Sequence, residues 1–99
     1  PLAELLALDD AAFRARFRGT PVKRAGRDRM VRNCLIAAGN ARDPSLLPHV
    51  TALLGDSSPL VRAMAVWAFR RLASPDAVAT ARAHHTVSEP DADVLREWA

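Results

Sequence analysis

The chain has 99 residues, 49% of them hydrophobic and 25% charged, which suits one small domain able to bury roughly two-thirds of the surface its unfolded chain exposes. No apolar run approaches the roughly 18 residues that cross a bilayer, and no basic stretch followed by an apolar one opens the chain, so neither a membrane span nor a secretion leader is expected. The single cysteine, Cys34, excludes an internal disulfide and agrees with a reducing, cytoplasmic setting. The first residue is Pro1 rather than Met, which points to a piece of a longer protein.

Five aromatic side chains and abundant alanine favour close-packed helices over a β-sandwich. Leu2, Leu5, Leu6 and Leu8 form a short apolar run, and Asp9 reads as the N-cap of a helix with Phe13 and Phe17 four apart on one face. Gly19-Thr20-Pro21 stops that helix, because proline disfavours helical geometry in the residue before it, and Val22 to Gly26 read as a basic loop. From about Arg27, the residues Met30, Val31, Cys34, Leu35 and Ala38 lie on one stripe of a second helix, closed by Gly39-Asn40.

A third helix runs from about Pro44 to Leu54, with Leu46, Leu47, Val50, Leu53 and Leu54 facing inward and Gly55 closing it. Ser58-Pro59 and Ser74-Pro75 each pair a capping hydroxyl with a proline at the first helical position, and so start a fourth and a fifth helix. Val61, Met64, Ala65, Ala68 and Leu72 supply the fourth stripe; the fifth fades near His84-His85. A last short helix from about Pro90 buries Val94, Leu95 and Trp98.

Val31-Arg32 and Val61-Arg62 occupy matching places at the starts of two helices, and each is followed by an alanine-rich helix, a proline-containing turn and a second helix. Helix pairs of this kind cannot bury their apolar faces alone and stack into a solenoid. The expectation is an all-α, HEAT-like α-α superhelix of about two helix pairs with a helical lead-in: residues 1–25 as the lead-in and basic loop, residues 26–99 as the repeats. Asp56-Ser57-Ser58-Pro59-Leu60-Val61-Arg62 looks like the HEAT-repeat turn, whereas the earlier copy has Gly26 where Asp56 sits.

Enzymatic constellations are missing. His84 and His85 are adjacent and point to different sides of a helix, so they would not share a metal. Cys34 lies in an apolar stripe as a small hydrophobe, and Trp67 and Trp98 read as packing residues. The charge is uneven. Between Phe13 and Asn33 eight basic residues face Asp28 alone, leaving six basic against ten acidic elsewhere. Arg29, Arg32 and Asn33 share one helix face, and Lys23, Arg24 and Arg27 precede or open that helix, where free amides also favour anions. These six residues are the candidate phosphate-binding set. Asp28 can pair with Arg32 one turn on, and Arg32 and Asn33 can equally bond to carbonyls of a neighbouring domain.

The run from Gly19-Thr20-Pro21-Val22-Lys23-Arg24-Ala25-Gly26-Arg27-Asp28-Arg29 through Arg32-Asn33 to Ala37-Ala38-Gly39-Asn40 resembles the segment that leads into the C-terminal HEAT-like repeats of tRNA epoxyqueuosine reductases. Leu8-Asp9-Asp10-Ala11-Ala12-Phe13 and Ser58-Pro59-Leu60-Val61-Arg62 through Ala65-Val66-Trp67-Ala68 resemble it too, so the likeness covers most of residues 5 to 72. The resemblance implies a cytoplasmic, monomeric bacterial enzyme that reduces epoxyqueuosine to queuosine at the tRNA wobble position, using cobalamin and two four-iron clusters. The cluster-ligating cysteine runs are not in this chain, and neither cofactor is expected on it. It implies for these residues a non-catalytic, tRNA-side role next to an upstream catalytic domain: Lys23, Arg24, Arg27, Arg29, Arg32 and Asn33 would meet phosphates of the anticodon stem-loop. Two other classes stay open: a freestanding HEAT-repeat protein-binding module, and a DNA-backbone binder.

Overall fold

The computed structural model describes residues 1–7 and 24–99, with residues 24 and 25 described by their backbone alone. The helix expected around Phe13 and Phe17, its Asp9 cap, its stop at Gly19-Thr20-Pro21, and Lys23 lie outside the described residues. Among the described residues the chain forms α1 (Leu2–Leu6), α2 (Arg24–Ala41), a 3-10 turn (Pro44–Leu46), α3 (Leu47–Leu53), α4 (Pro59–Leu72), α5 (Pro75–His85) and α6 (Ala92–Trp98). The all-α, HEAT-like expectation holds.

Capping explains where several of these helices start. Ser58 and Ser74 accept bonds from the amides of Val61 (3.4 Å) and Ala77 (3.2 Å), and Asp91 accepts from those of Asp93 (2.9 Å) and Val94 (3.1 Å). Pro59 and Pro75 occupy the first helical positions, where no donor is lost. Helices this short are not stable alone in water, so packing must hold them. α2 packs on α4 and α4 on α6 in one layer, while α1 and α3 pack against that layer from one side.

The core lies between the layers. Val31, Leu35 and Ala38 of α2 and Val61, Ala65 and Ala68 of α4 all have 0% exposure, so the thirty-residue register read from the sequence is the register of the core. Each such Val or Leu contributes about 1.5–3 kcal/mol by leaving water. Val66 and Phe69 of α4 are also buried, and Phe69 meets Trp98 edge-on at 6.1 Å between ring centroids. Met64 and Leu72, expected in the stripe, are half-buried beside it, and Leu95 of α6 is 38% exposed rather than buried. α5 has no fully buried residue and leans on α4 through Ala77, Val78 and Ala81.

Two boundaries differ from expectation. Residues 24–26, read as loop, are helical and belong to α2. Gly39-Asn40 does not end α2, which continues to Ala41; the left-handed residue is Arg42, at φ 52°. Gly39 is there for proximity instead. A Cβ on it would sit 2.4 Å from the Trp67 ring, which even a flat indole cannot accommodate without moving. Arg71 completes this contact: its guanidinium lies 5.0 Å from the Trp67 ring centre and its Nε donates to the Gly39 carbonyl at 3.0 Å.

Candidate nucleic-acid interface

The N-terminal ends of α2, α4 and α6 lie along one edge of the layer and are tied by arginine–carboxylate pairs. Arg27, 5% exposed, donates through Nη2 and Nη1 to the two carboxylate oxygens of Asp56 at 2.9 and 3.0 Å, and through Nη1 to Asp28 at 3.1 Å. Asp56 also accepts from the Ser58 amide at 3.0 Å, so one carboxylate holds both the neighbouring helix and its own turn. One repeat further, Arg62 grips Glu89 through Nε and Nη2 at 2.8 and 2.9 Å, and its Nη1 donates to the carbonyls of Asp56 (3.0 Å) and Ser57 (3.2 Å). Glu89 in turn accepts from the Asp91 amide at 3.0 Å.

The electrostatics follow this geometry. Burial by itself would lower the Arg27 pKa, but the bonds from Asp56 and Asp28 outweigh it and raise it. The hydrogen bond from Arg62 holds the Glu89 carboxyl below its ordinary range. Both arginines are therefore committed to the fold.

The second pair also uncovers a repeat that the sequence reading missed. Asp56, Ser58 and Val61 recur as Glu89, Asp91 and Val94: acid, cap and buried valine, with the same acid-to-cap amide bond. The signal was present but disguised, because Glu replaces Asp and Asp replaces Ser at chemically equivalent places. The equivalence of Arg32 with Arg62 does not extend to bonding. Arg32 donates to Asn33 Oδ1 at 3.4 Å, and Arg27 does for Asp56 what Arg62 does for Glu89.

The six candidate residues therefore divide. Lys23 lies outside the described residues, and Arg24 belongs to α2 with its backbone alone described. Arg27 differs from expectation in facing inward. Its partners are carboxylates of this chain, and Asp28 pairs with Arg27 rather than with Arg32. Arg29 and Asn33 are exposed and Arg32 half-exposed on the outer side of α2, and among the described residues no carboxylate pairs with Arg29 or Arg32. What the outer side of α2 can do chemically is hold anions through guanidinium groups that no carboxylate pairs among the described residues.

The remaining reactive side chains serve packing. Burial pushes the Cys34 thiol up and keeps it protonated and unreactive. His84 and His85, expected to diverge, have ring centroids 4.9 Å apart, and His85 stacks on Trp98 at 5.9 Å with 12° between planes. Burial, then the neighbouring His84, lowers the His85 pKa. Among the described residues no group of three or more His, Cys, Asp or Glu side chains could hold a metal. A four-iron cluster takes four cysteine thiolates, so the donor set here, with one protonated thiol, does not fit such a cluster.

Comparison with known proteins places these features in a family. The sequence profile of the HEAT repeats family matches residues 24–99. A Pseudomonas aeruginosa protein named epoxyqueuosine reductase is 42% identical over 73 residues, covering 71% of this chain and 20% of that protein. Proteins of the same name from Xanthomonas campestris pv. campestris and Bacillus subtilis are 37% and 31% identical, covering 68% and 75% of this chain and 19% of each relative. The chain thus spans about a fifth of the length of these relatives. No solved structure matches it. The chain belongs to the HEAT-repeat family, as a HEAT-like region of the kind found in epoxyqueuosine reductases.

Proposed function

We infer that this chain is the non-catalytic, tRNA-side HEAT-like module of an epoxyqueuosine reductase, a cytoplasmic, monomeric oxidoreductase that reduces epoxyqueuosine to queuosine at the tRNA wobble position. Residues 1–25 form the end of the preceding domain and residues 26–99 the repeats. The observation that carries the reading is the open side of α2, where Arg29 and Arg32 stand without carboxylate partners among the described residues in a chain whose relatives carry that enzyme's name. Arg24, Lys23 and Asn33 extend the same basic stretch.

Phosphates of the anticodon stem-loop lie along this stretch and fix the orientation of the RNA, while an upstream catalytic domain reads the modified base. Cobalamin and two four-iron clusters belong to that domain; the residues of this chain do not fit a cluster, and no step of the reaction is assigned to them. Arg27 supports the interface from beneath by fixing α2 against the Asp56 turn.

The test is tRNA affinity across a salt series, using intact protein with Arg29→Ala and Arg32→Ala. Each lost phosphate contact should lower the magnitude of the log–log salt slope by about 0.7–0.9 and weaken binding at low salt. Unchanged affinity and slope in the double variant would remove the phosphate role. Lost cluster content with unchanged RNA binding would assign the two arginines to an interdomain contact instead.

A further inference from the structure

An apolar strip on α4 remains open to solvent. Leu60, Ala63, Met64 and Trp67 fall at i, i+3, i+4 and i+7 of that helix; Leu60 is 43% exposed and the others are half-buried. With Ile36 of α2 on one side and α6 on the other, they floor a groove of about 560 Å³. A hollow of about 260 Å³ shares Leu60, Ala63 and Asp93 with it and continues toward Pro59 and Asp91. From Leu60 to Trp67 the floor runs about 10 Å along α4, the length of two helical turns.

The α6 wall of this groove is acidic. Asp91, Asp93 and Glu97 line it against a single guanidinium, Arg96. Asp93 and Arg96 form an ion pair one turn apart, but both side chains are 73% exposed, so the pair is weak and exchangeable. Among the described residues Glu97 has no charged partner; Arg70 bonds to its backbone carbonyl, not its carboxylate. Three carboxylates over an apolar floor repel a phosphate backbone and attract cations. Apolar anchors at two-turn spacing are how one helix lies in the groove of another protein.

We propose that this groove is a docking site for a short amphipathic α-helix of a partner protein, whose apolar side chains at i, i+4 and i+7 fill the floor and whose Lys or Arg edge lies along Asp93 and Glu97. The site uses none of Lys23, Arg24, Arg29 or Arg32, so it stands apart from the tRNA reading. Occupation would cover Trp67, whereas Trp98, at 2% exposure, is already shielded.

The experiment titrates the 99-residue chain with a synthetic amphipathic peptide of about 15 residues, bearing Leu at the three anchor positions and Lys along one edge, and with a counterpart carrying Glu in place of Lys. Acrylamide quenching of tryptophan fluorescence reports whether Trp67 is covered. The Lys peptide should protect Trp67 saturably, and the Glu peptide should bind at least about ten-fold more weakly. The double variant Asp93→Lys/Glu97→Lys, which alters exposed or half-exposed positions, should reverse that preference while its circular dichroism stays unchanged. Leu60→Glu should weaken both peptides. Equal affinity for the two peptides, no protection of Trp67, or an unchanged preference in the double variant overturns the proposal. So does protection of Trp67 by an RNA hairpin, or by self-association of the chain in the absence of peptide.

Discussion

Two sets of arginines on the same layer of helices behave oppositely. At the N-terminal edge, Arg27 and Arg62 each hold a carboxylate with two hydrogen bonds and link one repeat to the next. On the outer side of α2, Arg29 and Arg32 face solvent without a carboxylate among the described residues. Arg27 and Arg29 are only two residues apart, which on a helix is a rotation of roughly 200°, from core-facing to open. Residue type therefore does not separate a buried, paired arginine from an exposed one; direction and partner do. A buried guanidinium needs its counter-charge, whereas an exposed one costs little to leave unpaired and remains available to a ligand.

The comparison breaks most sharply at Asp56. Asp56→Ala removes two bonds from a 5%-exposed guanidinium and one from the Ser58 amide, and should cost about 3 kcal/mol in urea unfolding. Arg29→Ala is the matching control on the open side and should change stability by no more than about 0.5 kcal/mol. A loss above about 1 kcal/mol there would place Arg29 with the structural set.

Gly39→Ala should cost about 2 kcal/mol, since the added methyl meets the Trp67 ring at 2.4 Å and strain outweighs the gain in helix propensity. A shift in tryptophan emission should accompany the loss; an unchanged melting temperature would mean that the two helices part easily there.

Acid titration tests the second repeat. The folded Glu89 pKa lies below the ordinary 4.5, so its contribution is complete above about 4.5 and is lost as pH falls through the lower folded value. His85 is also depressed, from an ordinary 6.5, so the unfolded chain takes up a proton first, and stability begins to fall below about 6.5. Glu89→Gln should flatten the lower part of the profile and His85→Phe the upper part, each read as unfolding free energy against pH. At the small end, Arg42→Gly should stabilise the chain by about 0.5–1 kcal/mol, because Arg42 holds φ 52° at the end of α2.

The helices α2 to α6, the serine–proline starts of α4 and α5 and the thirty-residue register of the core were legible in the chain, because caps and apolar spacing are local physics. So was the concentration of positive charge around α2, since charge counts need no coordinates. Tertiary structure decided what local spacing could not. Gly39 read as a helix stop because glycine tolerates left-handed geometry, yet it sits inside α2 for the sake of a tryptophan 28 residues away. Leu95 looked like a core residue, and the position of α6 at the edge of the layer left it exposed. The Glu89 turn went unnoticed because only pairing with Arg62 reveals that it repeats the Asp56 turn. The split of the basic stretch into a buried clamp and an open face arose the same way: the pairing of Arg27 with Asp56 joins residues 29 apart, and no local spacing announces it. Sequence alone determined which residue types and periodicities were available; long-range packing determined which of them are buried, paired or left facing water, because partners brought together across repeats leave no local trace in the chain.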